Sequence, residues 1–241
     1  MRFKALFFGS VGVLAETSDL QRRAFNTALA EAGLDWHWDA ETYEALLMMP
    51  GGKRRLRVLA AATGRSLEEG AIDEIHRRKT DVAARLILSE QTPLRPGIAS
   101  MITESRACGM GLALVTTTYR PTIDAIAAAA GTDLPLEAFD AVLTHADAAR
   151  PKPAPDIYRT ALERLGLTPR DAVAIEDTAA SVSAAKSAGL AVVATPGAFA
   201  GTQDFSHADL VVPALGRADE GLSAEVRDFV IGTSEPQPTI S

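Results

Sequence analysis

Residues 5–17 read ALFFGSVGVLAET, an apolar run of four residues that ends at a glycine and leads into a loop. A short, continuous apolar run bounded by glycine is typical of a strand buried on both faces, as in a parallel sheet. Ligands of open parallel sheets bind beyond the carboxyl ends of the strands. The residues from Gly9 onward are therefore candidates for a functional site.

Working outward from this strand, the pattern of the chain changes near residue 90. Helical spacing fills the part before it, with helices predicted at 19–33, 40–48, 53–63 and 66–89. The later part alternates strands with helices, and its predicted strands are 111–116, 141–144, 172–175, 191–194 and 210–212. Such alternation predicts an α/β fold with a parallel sheet covered on both faces. We expect a core domain formed by 1–17 and 91–231, a helical cap domain at 18–90 and a flexible tail at 232–241.

Composition and charge limit the classes of partner. The 241 residues are 47% hydrophobic and 23% charged, as in an ordinary globular protein, and the net charge is −7. Nucleic acid and anionic membrane are not expected as main partners, because phosphate backbones and acidic lipids demand basic surface. No apolar run is long enough to span a membrane and the N-terminus lacks the order of a signal peptide, so we expect a cytoplasmic protein. Cys108 is the one cysteine, which excludes an intramolecular disulfide, and we expect its side chain to be buried.

Three more segments lie at the ends of predicted strands: LVTTT at 114–118, RPKPAPDIY at 150–158 and IEDT at 175–178. Together with 5–17, and in this order, they resemble the four motifs of the haloacid dehalogenase (HAD) superfamily. Segments 15–26, 51–53 and 94–97 are similar to the CbbY-like sugar-phosphate phosphatases, the xylulose bisphosphate phosphatase type. The resemblance implies a HAD-type Rossmann-like parallel sheet with an inserted α-helical cap.

The resemblance also implies a phosphate site at the strand ends. Thr116, with Thr117 beside it, and the ammonium of Lys152 would hold phosphoryl oxygens, while Asp177 and Glu176 would bind Mg²⁺. Each has a plainer explanation: a strand-end threonine, a solvated loop lysine, and acids at the start of the next helix. Their common order favours the phosphate site.

Two positions depart from the motifs. Gly9 stands where the family carries its nucleophilic aspartate, and Val11 stands where it carries its acid/base aspartate. Neither side chain can attack phosphorus or carry a proton, so the covalent route and the proton transfer are both lost. Mg²⁺ binding becomes doubtful, because a carboxylate ligand is missing. Ser10 is not expected to replace the nucleophile, because neighbouring side chains of an extended segment point opposite ways and no histidine lies nearby in sequence.

The cap carries matches and departures of its own. Gly51, Gly52 and Lys53 match the CbbY-like group, and Lys53 could reach a second phosphate as a point charge. Ser18 and Gln21 stand where that group carries a glutamate and a histidine.

Three functional hypotheses stay open. The first is a phosphatase homologue without normal activity, which keeps a pocket for an inorganic anion or a small phosphorylated metabolite such as a phosphosugar. The second is an active or altered hydrolase that uses Asp177, Glu176 or metal-bound water. The third is that the natural protein carries aspartates at positions 9 and 11. A dinucleotide-binding turn at 9–12 is not expected, because that fingerprint needs three glycines and an immediate helix.

Overall fold

The computed structural model describes residues 2–217 and 220–232. Its centre is a six-stranded parallel sheet in the order β3-β2-β1-β4-β5-β6, so the first strand lies in the middle of the sheet. The strands are β1 Ala5–Phe8, β2 Gly111–Val115, β3 Ala141–Leu143, β4 Ala172–Glu176, β5 Ala191–Ala194 and β6 Leu210–Val211. The predicted α/β class with a parallel sheet is confirmed.

Nine α-helices are found in the described ranges. They are α1 Ser18–Glu31, α2 Ala40–Leu47, α3 Gly52–Ala62, α4 Glu69–Ser89, α5 Ile98–Ala107, α6 Arg120–Ala130, α7 Asp156–Leu165, α8 Ala179–Ser187 and α9 Ala224–Val230. A short antiparallel strand pair, β7 Gly216–Arg217 and β8 Gly221–Leu222, was not predicted. Its two-residue strands are too short to give an alternating pattern.

The two faces of the sheet bury different helices. Successive side chains of a strand point to opposite faces. In β1, Leu6 and Phe8 pack on the side of α5, α6 and α9, whereas Ala5 and Phe7 pack on the side of α7 and α8. All four side chains are buried, which explains why the strand reads as an uninterrupted apolar run.

Residues 18–90 contain four helices and their connecting loops, without a strand, and they surround an apolar cluster of their own that includes Phe25, Trp38 and Leu56. The edge of this cluster meets the core where the ring of Tyr43 lies 5.8 Å from that of Phe199. These contacts agree with an insertion at 18–90, and the division into two domains stays a prediction.

Three further expectations concern the rest of the chain. The expected flexible tail, 232–241, lies outside the described residues except for Gly232. Within the described ranges, no helix combines the length and the apolar character that a membrane crossing requires. The expected burial of Cys108 is wrong: it caps the end of α5 and is exposed, because the chain turns there into Gly109 with φ of 75°.

Candidate functional site

A cavity of about 250 Å³ opens where β1, β2 and β4 end. Parallel strands present their carboxyl ends at the same edge of the sheet, which brings together residues that lie far apart in sequence. Helices α1 to α4 contribute residues to the opposite wall. The predicted site residues that line the cavity are Gly9, Val11, Gly51, Gly52, Thr116, Thr117, Lys152, Glu176 and Asp177.

Lys152 and Glu176 form a buried ion pair in the wall of the cavity. The Nζ atom of Lys152 lies 2.7 Å from Oε1 of Glu176 and donates a second hydrogen bond, 3.0 Å long, to the carbonyl of Val115. The Tyr158 hydroxyl donates to the same carboxylate oxygen. Lys152 therefore keeps one N–H that no described group uses, while one oxygen of Glu176 is fully engaged.

Asp177 follows Glu176 at the end of β4. Burial, and then the neighbouring Glu176 carboxylate, raise the pKa of Asp177 to about 8. A Cβ atom at Gly12 would meet Oδ2 of Asp177 at 2.1 Å, so the loop passes close to this carboxyl only because residue 12 is a glycine with φ of 77°. Near neutral pH, Asp177 is mainly a neutral carboxylic acid in this structure.

Ser10 points into the cavity, contrary to the expectation that it would face away. Its Oγ atom lies 2.8 Å from Oγ1 of Thr116 and 3.0 Å from Oγ1 of Thr118. The alternation of an extended strand does not apply, because β1 ends at Phe8 and the carbonyl of Ser10 already accepts a turn hydrogen bond from the N–H of Leu14. The site thus contains three linked hydroxyls.

Gly9 and Val11 bring no polar side chain to the end of β1. A Cβ atom at Gly9 would lie 2.8 Å from Oε2 of Glu176 and 2.8 Å from Cγ2 of Val13, so their side chains occupy the space beside the glycine. Any larger residue at position 9 requires both neighbours to shift.

Lys53 does not reach the cavity. Its Nζ atom pairs with the exposed Asp73 at 2.7 Å, and its side chain lies beside Tyr119, a residue that lines the cavity. The neighbouring Gly52 does line the cavity, and a Cβ atom there would lie 2.7 Å from Nε2 of His76. The contact between Lys53 and a second phosphate stays a prediction.

Two other cations line the cavity instead, Arg55 and Lys79, and sequence reasoning missed both. In the described ranges no carboxylate pairs with either of them. Burial, and then the charge of Arg55, lower the pKa of Lys79 to about 7. The Lys79 ammonium donates to Oε1 of Gln21, whose Nε2 atom is buried without a partner. The helical positions 55 and 79 could have been flagged only by knowing that α3 and α4 face the sheet.

Comparison with known proteins identifies the family to which this chain belongs. A family model described as haloacid dehalogenase-like hydrolase matches residues 3–189. This chain belongs to that family. Among its relatives, the protein CbbY of Rhodobacter capsulatus is 40% identical over 218 residues, which cover 90% of this chain and 96% of the relative. The plasmid-encoded CbbY of Cupriavidus necator is 41% identical over 229 residues, which cover 92% and 90%.

Solved structures of other proteins share the fold. CbbY from Rhodobacter sphaeroides, solved with phosphate, has a TM-score of 0.82 and 38% identity, and the match covers 88% of this chain and 94% of that one. A variant of the same protein was solved with xylulose-1,5-bisphosphate. A β-phosphoglucomutase from Clostridium difficile, at 20% identity and a TM-score of 0.72, shows the common fold alone.

The haloacid dehalogenase-like family generally uses Mg²⁺, and the residues of this cavity do not fit that ion. Mg²⁺ prefers an octahedron of oxygens that includes carboxylates. Among residues 2–217 and 220–232, no three His, Cys, Asp or Glu side chains come together in a group that could hold a metal. Oε1 of Glu176 is engaged by Lys152 and Tyr158. Gly9 and Val11 supply no side-chain oxygen.

Proposed function

We propose that this chain binds a small phosphorylated metabolite, a phosphosugar, and does not hydrolyse it by the covalent route of its family. One observation carries the proposal: at the end of β1 the cavity presents Gly9 and Val11. The cation Lys152, which keeps one unused N–H, and the hydroxyl of Thr118 line the same cavity. The groups that would bind a phosphate are therefore present without the groups that would attack it.

The other acids of the cavity are poor substitutes for the missing nucleophile. Glu176 is held by the Lys152 ammonium and the Tyr158 hydroxyl, so its attack would break a buried ion pair. Asp177 is mainly neutral at pH 7, and a carboxylic acid is a weaker nucleophile than a carboxylate. Ser10 has hydroxyl neighbours only, and no base accepts its proton.

The cap side of the cavity supports a ligand with a second anionic group. Arg55 and Lys79 face the cavity, and no carboxylate in the described ranges neutralises them. Gln21 adds a buried amide N–H that lacks an acceptor, and an unsatisfied buried donor costs about 1–3 kcal/mol. CbbY from Rhodobacter sphaeroides, in a variant form, was solved with xylulose-1,5-bisphosphate. A sugar bisphosphate is therefore the ligand class that we propose.

A second candidate is an altered hydrolase. The raised pKa of Asp177 favours this candidate. A carboxylic acid with a pKa near 8 keeps its proton at neutral pH and could donate that proton to a leaving oxygen. This route would require water as the nucleophile, and the neutral bases that line the cavity, His76 and Lys79, belong to α4 on the cap side, across from the strand ends. We therefore rank binding above hydrolysis.

Titration calorimetry with inorganic phosphate and with xylulose-1,5-bisphosphate tests the proposal, and phosphate release is measured on the same samples. We expect heat from both ligands, tighter binding of the bisphosphate and no release. Absence of heat with both ligands refutes binding, and catalytic release refutes the loss of chemistry.

Variants of Arg55 and Lys79 test whether the second phosphate of the bisphosphate binds on the cap side of the cavity. We expect Arg55→Met and Lys79→Met each to weaken the bisphosphate about tenfold or more while leaving inorganic phosphate nearly unchanged. Lys186→Met is the matched control, since Lys186 pairs with Asp209 on the surface.

A further inference from the structure

The hydroxyls of Ser10, Thr116 and Thr118 form a chain of hydrogen bonds, in which each hydroxyl donates to the next. Each hydroxyl owns one proton and can accept at its lone pairs. Both contacts of Ser10 are hydrogen bonds at the same time only when Ser10 donates to Oγ1 of Thr118 and Thr116 donates to Ser10 across the 2.8 Å contact. Oγ1 of Thr116 in turn accepts from the backbone N–H of Thr118 at 3.0 Å. The order is therefore Thr116 to Ser10 to Thr118.

In this order the hydroxyl proton of Thr118 is not donated to either of the other two hydroxyls. In the described part of the chain no group accepts it, and Thr118 is half-buried in the cavity wall. The Thr118 carbonyl accepts from the N–H of His145 at 3.2 Å, which fixes the backbone that carries the hydroxyl. Hydrogen bonds in a chain polarise one another, so the last donor is strengthened.

We propose that Thr118 is a phosphate-binding residue and that Ser10 is a positioning residue, which aims the Thr118 hydroxyl at a phosphate oxygen without help from a metal ion. Neither residue was assigned a binding role by the sequence. Ser10 is 3% exposed and its proton is committed, so it acts through Thr118 rather than on the ligand. The inference rests on the proposed function, because it concerns the same anion.

A calorimetric double-mutant cycle with inorganic phosphate in EDTA tests the relay. Thr118→Val should weaken binding about tenfold, the loss expected for one hydrogen bond to an anion. Ser10→Ala should weaken binding about fivefold in the unaltered chain and less than about twofold in the Thr118→Val background, because its effect passes through Thr118. Thr118→Ser keeps a hydroxyl and should restore affinity.

Controls separate this inference from the proposed function. Thr160→Val removes a hydroxyl that donates to the Asp156 carbonyl on α7, away from the cavity, and should leave affinity unchanged. Equal losses for Ser10→Ala in both backgrounds, or unchanged binding by Thr118→Val, overturn the relay while phosphate binding stands. Binding that appears only when Mg²⁺ replaces EDTA overturns the metal-free site. Absence of phosphate binding by the unaltered chain refutes both proposals.

Discussion

The ammonium of Lys152 lies 2.7 Å from Oε1 of Glu176, and both side chains are almost completely buried, with exposures of 7% and 1%. A buried ion pair of this kind gains little over a neutral pair of similar shape, but the loss of one partner strands the other charge in a low dielectric. Lys152 therefore stabilises the fold by neutralising the buried Glu176 carboxylate, in addition to any contact with phosphate.

The first prediction concerns this pair. Lys152→Met should lower the free energy of unfolding by about 3–5 kcal/mol, because Glu176 would remain as a buried charge. Adding Glu176→Gln should recover part of the loss. Urea unfolding followed by circular dichroism measures both changes, and a loss below about 1 kcal/mol for Lys152→Met would show that the pair is not buried as described.

The second prediction concerns Mg²⁺. A ligand that binds only the folded state raises the melting temperature. Because the cavity lacks a fitting donor set, millimolar Mg²⁺ should leave the melting temperature of this chain unchanged. Calcium serves as a second hard cation, and inorganic phosphate, which should raise the melting temperature, serves as the positive control. A clear rise with Mg²⁺ alone would contradict the stated misfit.

The third prediction follows from the pKa of Lys79, which burial lowers to about 7. At pH 8 this side chain is mainly neutral in the free protein, and a bound anion would favour the ammonium. Binding of a bisphosphate at pH 8 should therefore take up protons, and its affinity should fall as pH rises through 7. Calorimetry in buffers of different ionisation enthalpy measures the uptake. If Lys79→Met takes up as many protons as the unaltered chain, Lys79 is not their source.

The fourth prediction concerns stability in acid. Burial lowers the pKa of His76 from 6.5 to about 3. Between these values the unfolded chain binds more protons than the folded one, so stability falls as pH drops below 6.5. From pH 8 to pH 5.5 His76 alone should cost about 1.4 kcal/mol.

Unfolding experiments on variants isolate this effect. His76→Gln should flatten the slope of stability against pH by that amount, whereas the exposed His37 serves as control through His37→Gln. An unchanged slope in His76→Gln would show that His76 is not buried in its neutral form.

The parallel sheet, and the succession of strands and helices along the chain, could be predicted because buried strands and amphipathic helices leave a periodic signal in the sequence. The site residues Thr116, Lys152, Glu176 and Asp177 were predicted from the resemblance of their segments to the family motifs, and they meet because the carboxyl ends of parallel strands lie at one edge of the sheet. The side chain of Ser10 was misplaced because its direction is set by the turn after β1, not by strand alternation.

Cap residues were harder to predict. Lys53 pairs with Asp73, whereas Arg55 faces the cavity. The two residues lie two positions apart in α3, and side chains at that spacing point to different faces of a helix. Which face of α3 meets the core depends on how the helical segment packs, and local sequence does not encode that packing.

The central claim is that the cavity keeps phosphate-binding groups and has lost the attacking groups. The restored variant Gly9→Asp, Val11→Asp bears on it directly. A Cβ atom at position 9 would crowd Val13, so the same pair of changes should also be made with Val13→Ala.

The decisive measurement is phosphate release from xylulose-1,5-bisphosphate in a single turnover, with protein in excess over ligand and Mg²⁺ present. We predict no release above the buffer rate by the unaltered chain, and release by one of the two restored variants. Stoichiometric release by the unaltered chain would contradict the account.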